Sequence, residues 1–250
     1  MSVLAVKGLS KAFGGVHAVA GVSFAVAAGE LLAMIGPNGA GKTTCFNMVN
    51  GQLAPDSGSI ELDGKSLIGR VPRDICRAGV GRTFQVTATF GSMTVCENVQ
   101  LALLSHARML GSLLSSMKTN FLNETHELLE QVGMRGQADR RCAVLAYGDL
   151  KRVELAVALA SRPRLLLMDE PTAGMAPAER GALMKLAAGL ARDEKIAVLF
   201  TEHDMDVVFG HADRVIVLSG GELIAEGSPA EVRANAEVRR VYLGGEAGDA

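Results

Sequence analysis

The stretch Leu31-Leu32-Ala33-Met34-Ile35-Gly36-Pro37-Asn38-Gly39-Ala40-Gly41-Lys42-Thr43-Thr44 decides the fold of this chain. Its first five residues form a continuous apolar run, which is typical of a strand that is buried on both faces. The G-x-x-x-x-G-K-T pattern that follows covers 36–43, and a helix can begin at Lys42 within it. Such loops turn backbone N–H groups inward onto phosphate oxygens, and the helix N-terminus adds a partial positive charge. The stretch therefore predicts an α/β protein that binds a nucleotide.

Three side chains of this loop have predicted roles of their own. Lys42 can reach the β- and γ-phosphates, the Thr43 hydroxyl can bind Mg²⁺, and Thr44 can cap the helix or contact a phosphate. The alternative is a glycine-rich turn with a chance lysine, and the placement between strand and helix disfavours it. The predicted ATP-binding loop consists of Gly36, Pro37, Asn38, Gly39, Ala40, Gly41, Lys42, Thr43 and Thr44.

Acidic and histidine side chains follow two further apolar runs. The run 165–168 is followed by Asp169, which can approach Mg²⁺, and then by Glu170, which can polarise an attacking water. Alone, this pair could merely terminate a strand. His203 follows the run 196–201 and can reach a γ-phosphate, although a lone histidine more often has a structural role.

A second candidate anion site is Leu145-Ala146-Tyr147-Gly148-Asp149, ahead of a helix predicted over 151–161. Two phosphate sites in one chain suggest a nucleotide that is shared between two copies or two related chains. Without the other motifs, an aspartate N-cap beside a glycine would explain this segment equally well. Gln85, taken alone, is a polar loop residue.

Composition bounds the possible functions. The chain has 250 residues, which suits one large domain or a core with a subdomain. A net charge of −2, 4% aromatic residues and no Trp disfavour a nucleic-acid-binding surface. The four cysteines lack metal-ligand spacing and are predicted to be reduced thiols in a cytosolic protein. We expect no secretory signal and no membrane span, so action at a membrane would require docking on another protein.

Strand and helix signals alternate outside the middle of the chain, as in a mostly parallel sheet. From about 93 to 160 the sequence pattern is typical of helices, which indicates a helical subdomain inserted into the α/β core. The predicted strands cover 3–9, 22–26, 31–35, 165–168, 196–201, 214–218 and 222–225, and the predicted helices outside the middle cover 42–50, 178–192 and 204–211, with a last one beginning at Ser228.

These motifs, in this order, resemble the ATP-binding subunits of ABC transporters. The motifs are G-P-N-G-A-G-K-T-T at 36–44, Gln85, L-A-Y-G-D at 145–149, L-L-L-M-D-E-P at 165–171 and T-E-H-D at 201–204. The resemblance implies one ATP-binding domain over 1–250 with a P-loop NTPase (RecA-like) α/β core. It also implies an N-terminal antiparallel β-subdomain, an inserted α-helical subdomain, and two nucleotides sandwiched between two such subunits.

The resemblance also implies catalytic and metal-binding roles. Glu170 would be the catalytic base and His203 the γ-phosphate switch. Gln85 would sense Mg²⁺ and couple to the membrane partner, and Asp169 and Thr43 would help to hold the metal.

Further implied roles concern the base of the nucleotide and the partner subunit. Phe13 lies where the family places an adenine-stacking aromatic, although a lone Phe is more often part of a core. Ala146, Tyr147, Gly148 and Asp149 would act on the nucleotide of the partner subunit.

Within the family, the chain resembles the branched-chain amino-acid uptake group. The supporting segments are R-T-F-Q at 82–85, E-H-D-M at 202–205 and V-Y-L-G at 241–244, together with the signature. This implies bacterial import with membrane permease subunits, a second ATP-binding subunit and a periplasmic solute-binding protein. The chain would lie on the cytoplasmic face of the inner membrane. Urea and amide importers share much of the pattern and remain alternatives.

Three positions depart from the family pattern. Ala146 replaces the signature Ser, Leu150 replaces a frequent Gln, and Ala176 replaces a polar residue that usually reaches across the dimer. These changes would weaken contacts between subunits or suit an asymmetric pair.

Other P-loop classes are less well supported. An ABC-type ATPase acting on DNA would carry a long coiled-coil or clamp insertion, and a small GTPase-like switch would carry N-K-x-D; this sequence has neither. A nucleotide kinase would transfer phosphate to an acceptor other than water.

Overall fold

The computed structural model describes residues 2–83, 89–107 and 121–243, and these form two sheets flanked by helices. The strands are β1 (Ser2–Phe13), β2 (Val16–Ala27), β3 (Leu31–Ile35), β4 (Ser57–Leu62), β5 (Lys65–Ser66), β6 (Val80–Thr83), β7 (Leu165–Asp169), β8 (Ala197–Thr201), β9 (Arg214–Ser219) and β10 (Glu222–Gly227). The helices are α1 (Lys42–Val49), α2 (Pro72–Ala78), α3 (Val95–His106), α4 (Leu122–Gln131), α5 (Tyr147–Leu159), α6 (Pro177–Glu194), α7 (Met205–His211), α8 (Pro229–Ala234) and α9 (Ala236–Leu243).

The larger sheet has the strand order β10-β9-β3-β8-β7-β6. Strands β9, β3, β8, β7 and β6 are parallel, and β10 closes one edge as an antiparallel hairpin with β9. Strands β3, β8 and β7 are adjacent, so the segments that follow them meet at one edge of the sheet. This is the edge where open α/β sheets bind their ligands.

Strand β3 is buried on both faces because a different core covers each face. Leu32 and Met34 belong to the core formed with the smaller sheet and α1. Leu31, Ala33 and Ile35 belong to the core formed with the helices on the opposite face. This arrangement explains the uninterrupted apolar run, since neither face of the strand meets water.

The smaller sheet is antiparallel, in the order β2-β1-β4-β5. Helices α3, α4 and α5 lie between β6 and β7 in the chain and contact one another. Together with the parallel sheet, these features match the expected P-loop NTPase core with an antiparallel β-subdomain and a helical insert.

Several elements differ from the sequence prediction. Strands β1 and β2 have 12 residues each and extend well beyond 3–9 and 22–26. Strands β4 and β6 and helix α2 were not predicted, because their short segments carry Gly or Ser where strands usually carry apolar residues, or lack a clear helical period.

The start of helix α5 also differs from the prediction. The helix begins at Tyr147, four residues earlier than expected, with Ala146 in the extended conformation of an N-cap. The alternative of an Asp149 N-cap is therefore wrong, and Asp149 lies in the first turn instead. An acidic side chain there is favourable because it faces the positive end of the helix dipole.

Candidate nucleotide-binding site

The predicted phosphate loop connects β3 to α1. Gly41 is the N-cap of α1 with a φ of 100°, and no side chain caps this end of the helix. A Cβ at Gly41 would lie 2.3 Å from the carbonyl oxygen of Ala18, and one at Gly36 would lie 2.2 Å from that of Leu218. Glycine is therefore required at both positions, because β2 and the end of β9 approach the loop backbone closely.

Lys42 folds back over this loop. Its Nζ donates hydrogen bonds to the carbonyl oxygens of Gly36 at 2.6 Å and Pro37 at 3.1 Å. Burial lowers the pKa of Lys42, while the nearby carboxylates of Glu170 and Asp169 act in the opposite direction. A buried ammonium at a helix N-terminus favours an anionic ligand such as a triphosphate.

Asp169 is the last residue of β7, and both of its carboxylate oxygens are hydrogen-bonded. Oδ1 accepts a bond from the hydroxyl of Thr201 at 2.8 Å, and Oδ2 accepts one from the Arg82 guanidinium at 3.2 Å. Asp169 and Thr201 are cross-strand partners in the parallel pair of β7 and β8. The sheet register therefore sets the orientation of this carboxylate.

Glu170 adopts a left-handed backbone conformation, with a φ of 47°. Its amide donates to the carbonyl oxygen of Thr201 at 3.1 Å, which holds this turn against β8. Its Oε1 lies 2.9 Å from Nε2 of His203. The two residues predicted to act on the γ-phosphate are thus brought into direct contact, although 33 positions separate them.

Glu202 ties together the two segments that carry these side chains. It is buried, and its Oε1 accepts hydrogen bonds from the amide of Thr172 at 2.8 Å and the hydroxyl of Thr172 at 2.6 Å. A buried carboxylate with charge-assisted hydrogen bonds of this kind makes the surrounding backbone more rigid.

The donor set fits Mg²⁺ bound together with a nucleotide. Asp169, whose charge acts on Lys42, and Thr43, an exposed residue next to Lys42 in the chain, offer hard oxygen ligands. Within the three described ranges, no group of three or more His, Cys, Asp or Glu residues could hold a metal alone. Mg²⁺ is usually held by one or two protein oxygens and completed by phosphates and water, so Asp169 and Thr43 would be enough beside a nucleotide.

The signature residues lie at the start of α5, against α6. A Cβ at Gly148 would lie 3.0 Å from Oε1 of Glu179, so the glycine makes room for that carboxylate. Asp149 accepts a hydrogen bond from Gln137 at 3.0 Å. Ala146 and Tyr147 are exposed, with 38% of Tyr147 accessible. This turn therefore has a surface on which a second molecule could dock.

Two predicted residues remain to be placed. Phe13 lies at the end of β1 and is half exposed, so the alternative of a core residue is wrong. Its strand pairs with β2, and the backbone of Ala18 in β2 approaches Gly41 of the phosphate loop. Gln85 lies outside the described residues.

Sequence reasoning missed Thr201 and Arg82, both of which contact Asp169. The position of Thr201 at the end of an apolar run, two residues before His203, was an available signal. For Arg82 there was none, since its contacts depend on β6 lying beside β7.

Comparisons with known proteins agree with this geometry. A family model described as ABC transporter matches residues 19–173, and one described as branched-chain amino acid ATP-binding cassette transporter matches residues 222–248. The chain is 39% identical over 251 residues to the high-affinity branched-chain amino acid transport ATP-binding protein LivG of Salmonella typhimurium, which covers 97% of this chain and 98% of that protein. It is 39% identical over 259 residues to the corresponding BraF of Pseudomonas aeruginosa, with the same coverage.

Solved structures give a similar result. An ATP-binding cassette of an ABC transporter in its ADP conformation superimposes with a TM-score of 0.87 at 30% identity, covering 98% of this chain and 99% of that one. A nucleotide-free ATP-binding cassette gives a TM-score of 0.84 at 29% identity, covering 97% and 99%.

Proposed function

This chain belongs to the ABC transporter family of ATP-binding proteins, and we propose that it hydrolyses ATP to power an importer of branched-chain amino acids. The observation that carries the chemistry is the contact between Glu170 and His203, at the edge of the sheet where the phosphate loop begins. The observation that carries the substrate is the match of residues 222–248, together with the names of LivG and BraF.

In the proposed mechanism the phosphates lie against the first amides of α1 and against Lys42. Glu170 accepts a proton from the attacking water, and His203 orients Glu170 and contacts the γ-phosphate. Asp169 and Thr43, with Gln85, would hold Mg²⁺. When bound, the metal would neutralise charge on the phosphate oxygens.

Hydrolysis in this proposal requires a second ATP-binding subunit, either a copy of this chain or a related one. The turn formed by Ala146, Tyr147, Gly148 and Asp149 would complete the nucleotide site of that partner, while the partner's own signature would complete the site at Lys42. Phe13 would stack on adenine. ATP would close the pair, and hydrolysis would reopen it because the charge at the shared site changes. The chain would act as one ATP-binding domain over 1–250, with its helical subdomain at about 93–160.

None of the helices formed by the described residues is long and apolar enough to cross a membrane. We propose that separate permease subunits hold the chain at the cytoplasmic face of the inner membrane, and that a periplasmic solute-binding protein delivers the solute to them. A cavity of about 670 Å³ between α2, α3 and α5 is a suitable docking place. It includes Gly81 and Arg82 of β6, the strand that leads toward Gln85.

The same motor could serve a urea, amide or other amino-acid importer, because solute choice belongs to the permease and the binding protein. The decisive experiment is to purify the intact membrane assembly, identify its chains and measure ATP turnover with each candidate solute. We expect leucine, isoleucine or valine to raise turnover. Stimulation by urea or an amide alone would refute the substrate assignment. DNA-stimulated turnover would favour a non-transport ATPase.

Loss of nucleotide binding provides a separate test of the phosphate loop. Lys42→Ala removes the ammonium that lies over Gly36 and Pro37, so ATP affinity should fall. An ATP titration identical to that of the unsubstituted chain would count against the proposed site.

A further inference from the structure

Arg82 connects three parts of the candidate site. It lies on β6, and its NH2 group donates to Oδ2 of Asp169 at 3.2 Å. Its NH1 group donates to Oδ1 of Asn47, on α1, at 3.0 Å and to Oε1 of Gln52 at 3.1 Å. The side chains of Arg82 and Asp169 are each only 12% exposed. One guanidinium is therefore shared between the helix that follows the phosphate loop and the carboxylate assigned to the metal.

The charge of Arg82 matters because Asp169 must accept another cation. The hydroxyl of Thr201 orients Oδ1 without a charge, whereas Arg82 places a full positive charge beside Oδ2. In a partly buried site, a resident cation repels an arriving one far more strongly than it would in water. Arg82 thus holds the carboxylate in place but opposes the ion that the carboxylate receives.

The NH1 group of Arg82 restricts the movement of this side chain. Asn47 and Gln52 both hold NH1, so the charge cannot simply swing toward solvent when a cation approaches. These hydrogen bonds therefore keep the positive charge of Arg82 beside Asp169, where it repels an approaching Mg²⁺.

We propose that Arg82 is a positioning residue that sets how strongly Mg²⁺ strengthens nucleotide binding, by holding Asp169 and competing with the metal for it. The proposal rests on the function proposed above, in which Asp169 holds Mg²⁺.

The test measures the affinity of the full-length chain for ADP by titration calorimetry, with Mg²⁺ and with a chelator. The dissociation constant with chelator, divided by the dissociation constant with Mg²⁺, reports how strongly Mg²⁺ strengthens ADP binding, and it needs no catalysis. This quotient is called the ratio below. In Arg82→Gln the ratio should rise roughly fivefold, because the competing charge is removed. Arg82→Lys keeps a positive charge but loses the fork that Asn47 and Gln52 hold, so its ratio should rise clearly less than that of Arg82→Gln. An unchanged ratio in Arg82→Gln, or an equal rise in both variants, overturns the proposal.

A double-mutant cycle tests whether Asp169 is the partner. In an Asp169→Asn background, adding Arg82→Gln should change the ratio by less than about twofold, because the two residues act as one unit. The same rise in both backgrounds would overturn the assignment.

A second route avoids the ion pair if Arg82→Gln does not fold. The double variant Asn47→Ala with Gln52→Ala releases NH1, so the ratio should rise in the same direction by roughly two- to threefold. A ratio that stays the same or falls overturns the proposal. If the variants bind ADP but their ratio equals that of the unsubstituted chain, this inference alone is refuted. If the unsubstituted chain binds no ADP either with Mg²⁺ or with chelator, the proposed function is refuted as well.

Discussion

At the scale of single residues, Glu170 combines an unfavourable backbone with a useful side-chain position. A left-handed conformation costs a non-glycine residue roughly 1–2 kcal/mol. The amide of Glu170 offsets part of that cost by donating to Thr201. The result is a carboxylate that leaves the direction of β7 and meets His203. Strain of this kind is concentrated at functional sites.

Glu170→Gln should retain ATP binding and lose steady turnover. The amide keeps the size of the side chain but cannot accept a proton, so we expect turnover in the assembled complex to fall roughly a hundredfold or more. The variant should also accumulate the closed pair of subunits. ATP binding and phosphate release are measured side by side. Glu222→Gln, at an exposed carboxylate on β10, is the matched control. Normal turnover in Glu170→Gln would remove the base assignment.

How far the sequence predicts the site depends on whether each contact is local. The phosphate loop was predictable because its function requires consecutive residues. The family resemblance gave Glu170 and His203 their separate roles, but the contact between them was not predicted, since it depends on β7 and β8 being neighbours. The role of Arg82 was not predictable, because its acceptors on α1, in the following turn and on β7 meet only in the folded chain.

At the scale of elements, the phosphate loop is constrained by its neighbours as well as by its ligand. Gly41→Ala would place a Cβ 2.3 Å from a backbone oxygen, at a φ of 100°. We expect it to lower the free energy of unfolding by roughly 3 kcal/mol or more. Gly39→Ala also has a positive φ but meets nothing within 4 Å, so it should cost only about 1–2 kcal/mol. Urea unfolding of both variants checks this, and equal losses would contradict the packing argument.

Asp204 is the N-cap of helix α7. Its side chain accepts hydrogen bonds from the amides of Asp206 and Val207 and pairs with Arg180 of α6 at 2.6 Å. Burial acts to raise the pKa of Asp204. The hydrogen bond from Arg180 and those from the amides outweigh burial, so the pKa lies below its ordinary value of 3.8. The folded state therefore prefers the ionised carboxylate.

Asp204→Asn keeps a capping oxygen but loses the ion pair. At pH 7 we expect a loss of about 0.5–1 kcal/mol in the free energy of unfolding. Because the pKa is lowered, the contribution is complete above pH 3.8 and is lost as the pH falls from there through the lower folded value. The difference between variant and parent should therefore be constant from pH 7 to 5 and shrink below 3.8. Asp206→Asn, at an exposed neighbour, is the control, and a difference that grows toward low pH would contradict the assignment.

Elements were predictable where the local sequence carried an uninterrupted apolar run or a capping residue, and they were missed or misplaced where it did not. Strand β3 was predicted to the residue because both of its faces are covered and every side chain is apolar. Strand β6 carries Gly81 and Arg82 and is defined by its pairing with β7, which the local sequence does not encode. Helix α5 begins early because Ala146 adopts an N-cap conformation without a capping side chain, so the usual signal is missing.

At the scale of the whole molecule, the phosphate loop and the signature turn are associated with different hydrophobic cores. The phosphate loop lies where β3 joins the smaller sheet and α1. The signature turn belongs to α5, whose apolar side chains pack in the other core with α3 and α6. One chain therefore carries its phosphate loop and its signature turn in different layers, which supports the proposal of a site shared between two subunits.

Ala146→Ser tests this arrangement. A serine at the N-cap of α5 can accept a hydrogen bond from the first turn, so the free energy of unfolding should rise by about 0.5–1 kcal/mol. At the proposed interface its hydroxyl also reaches the partner's nucleotide, so ATP-dependent association with the second ATP-binding subunit should tighten by roughly threefold to tenfold. Sedimentation with and without ATP, in a Glu170→Gln background that prevents turnover, measures the association. Val71→Ser caps α2 and should raise stability without changing association. If Ala146→Ser raised stability alone, the turn at Ala146 would lie outside the shared site, and the composite ATP site would be refuted.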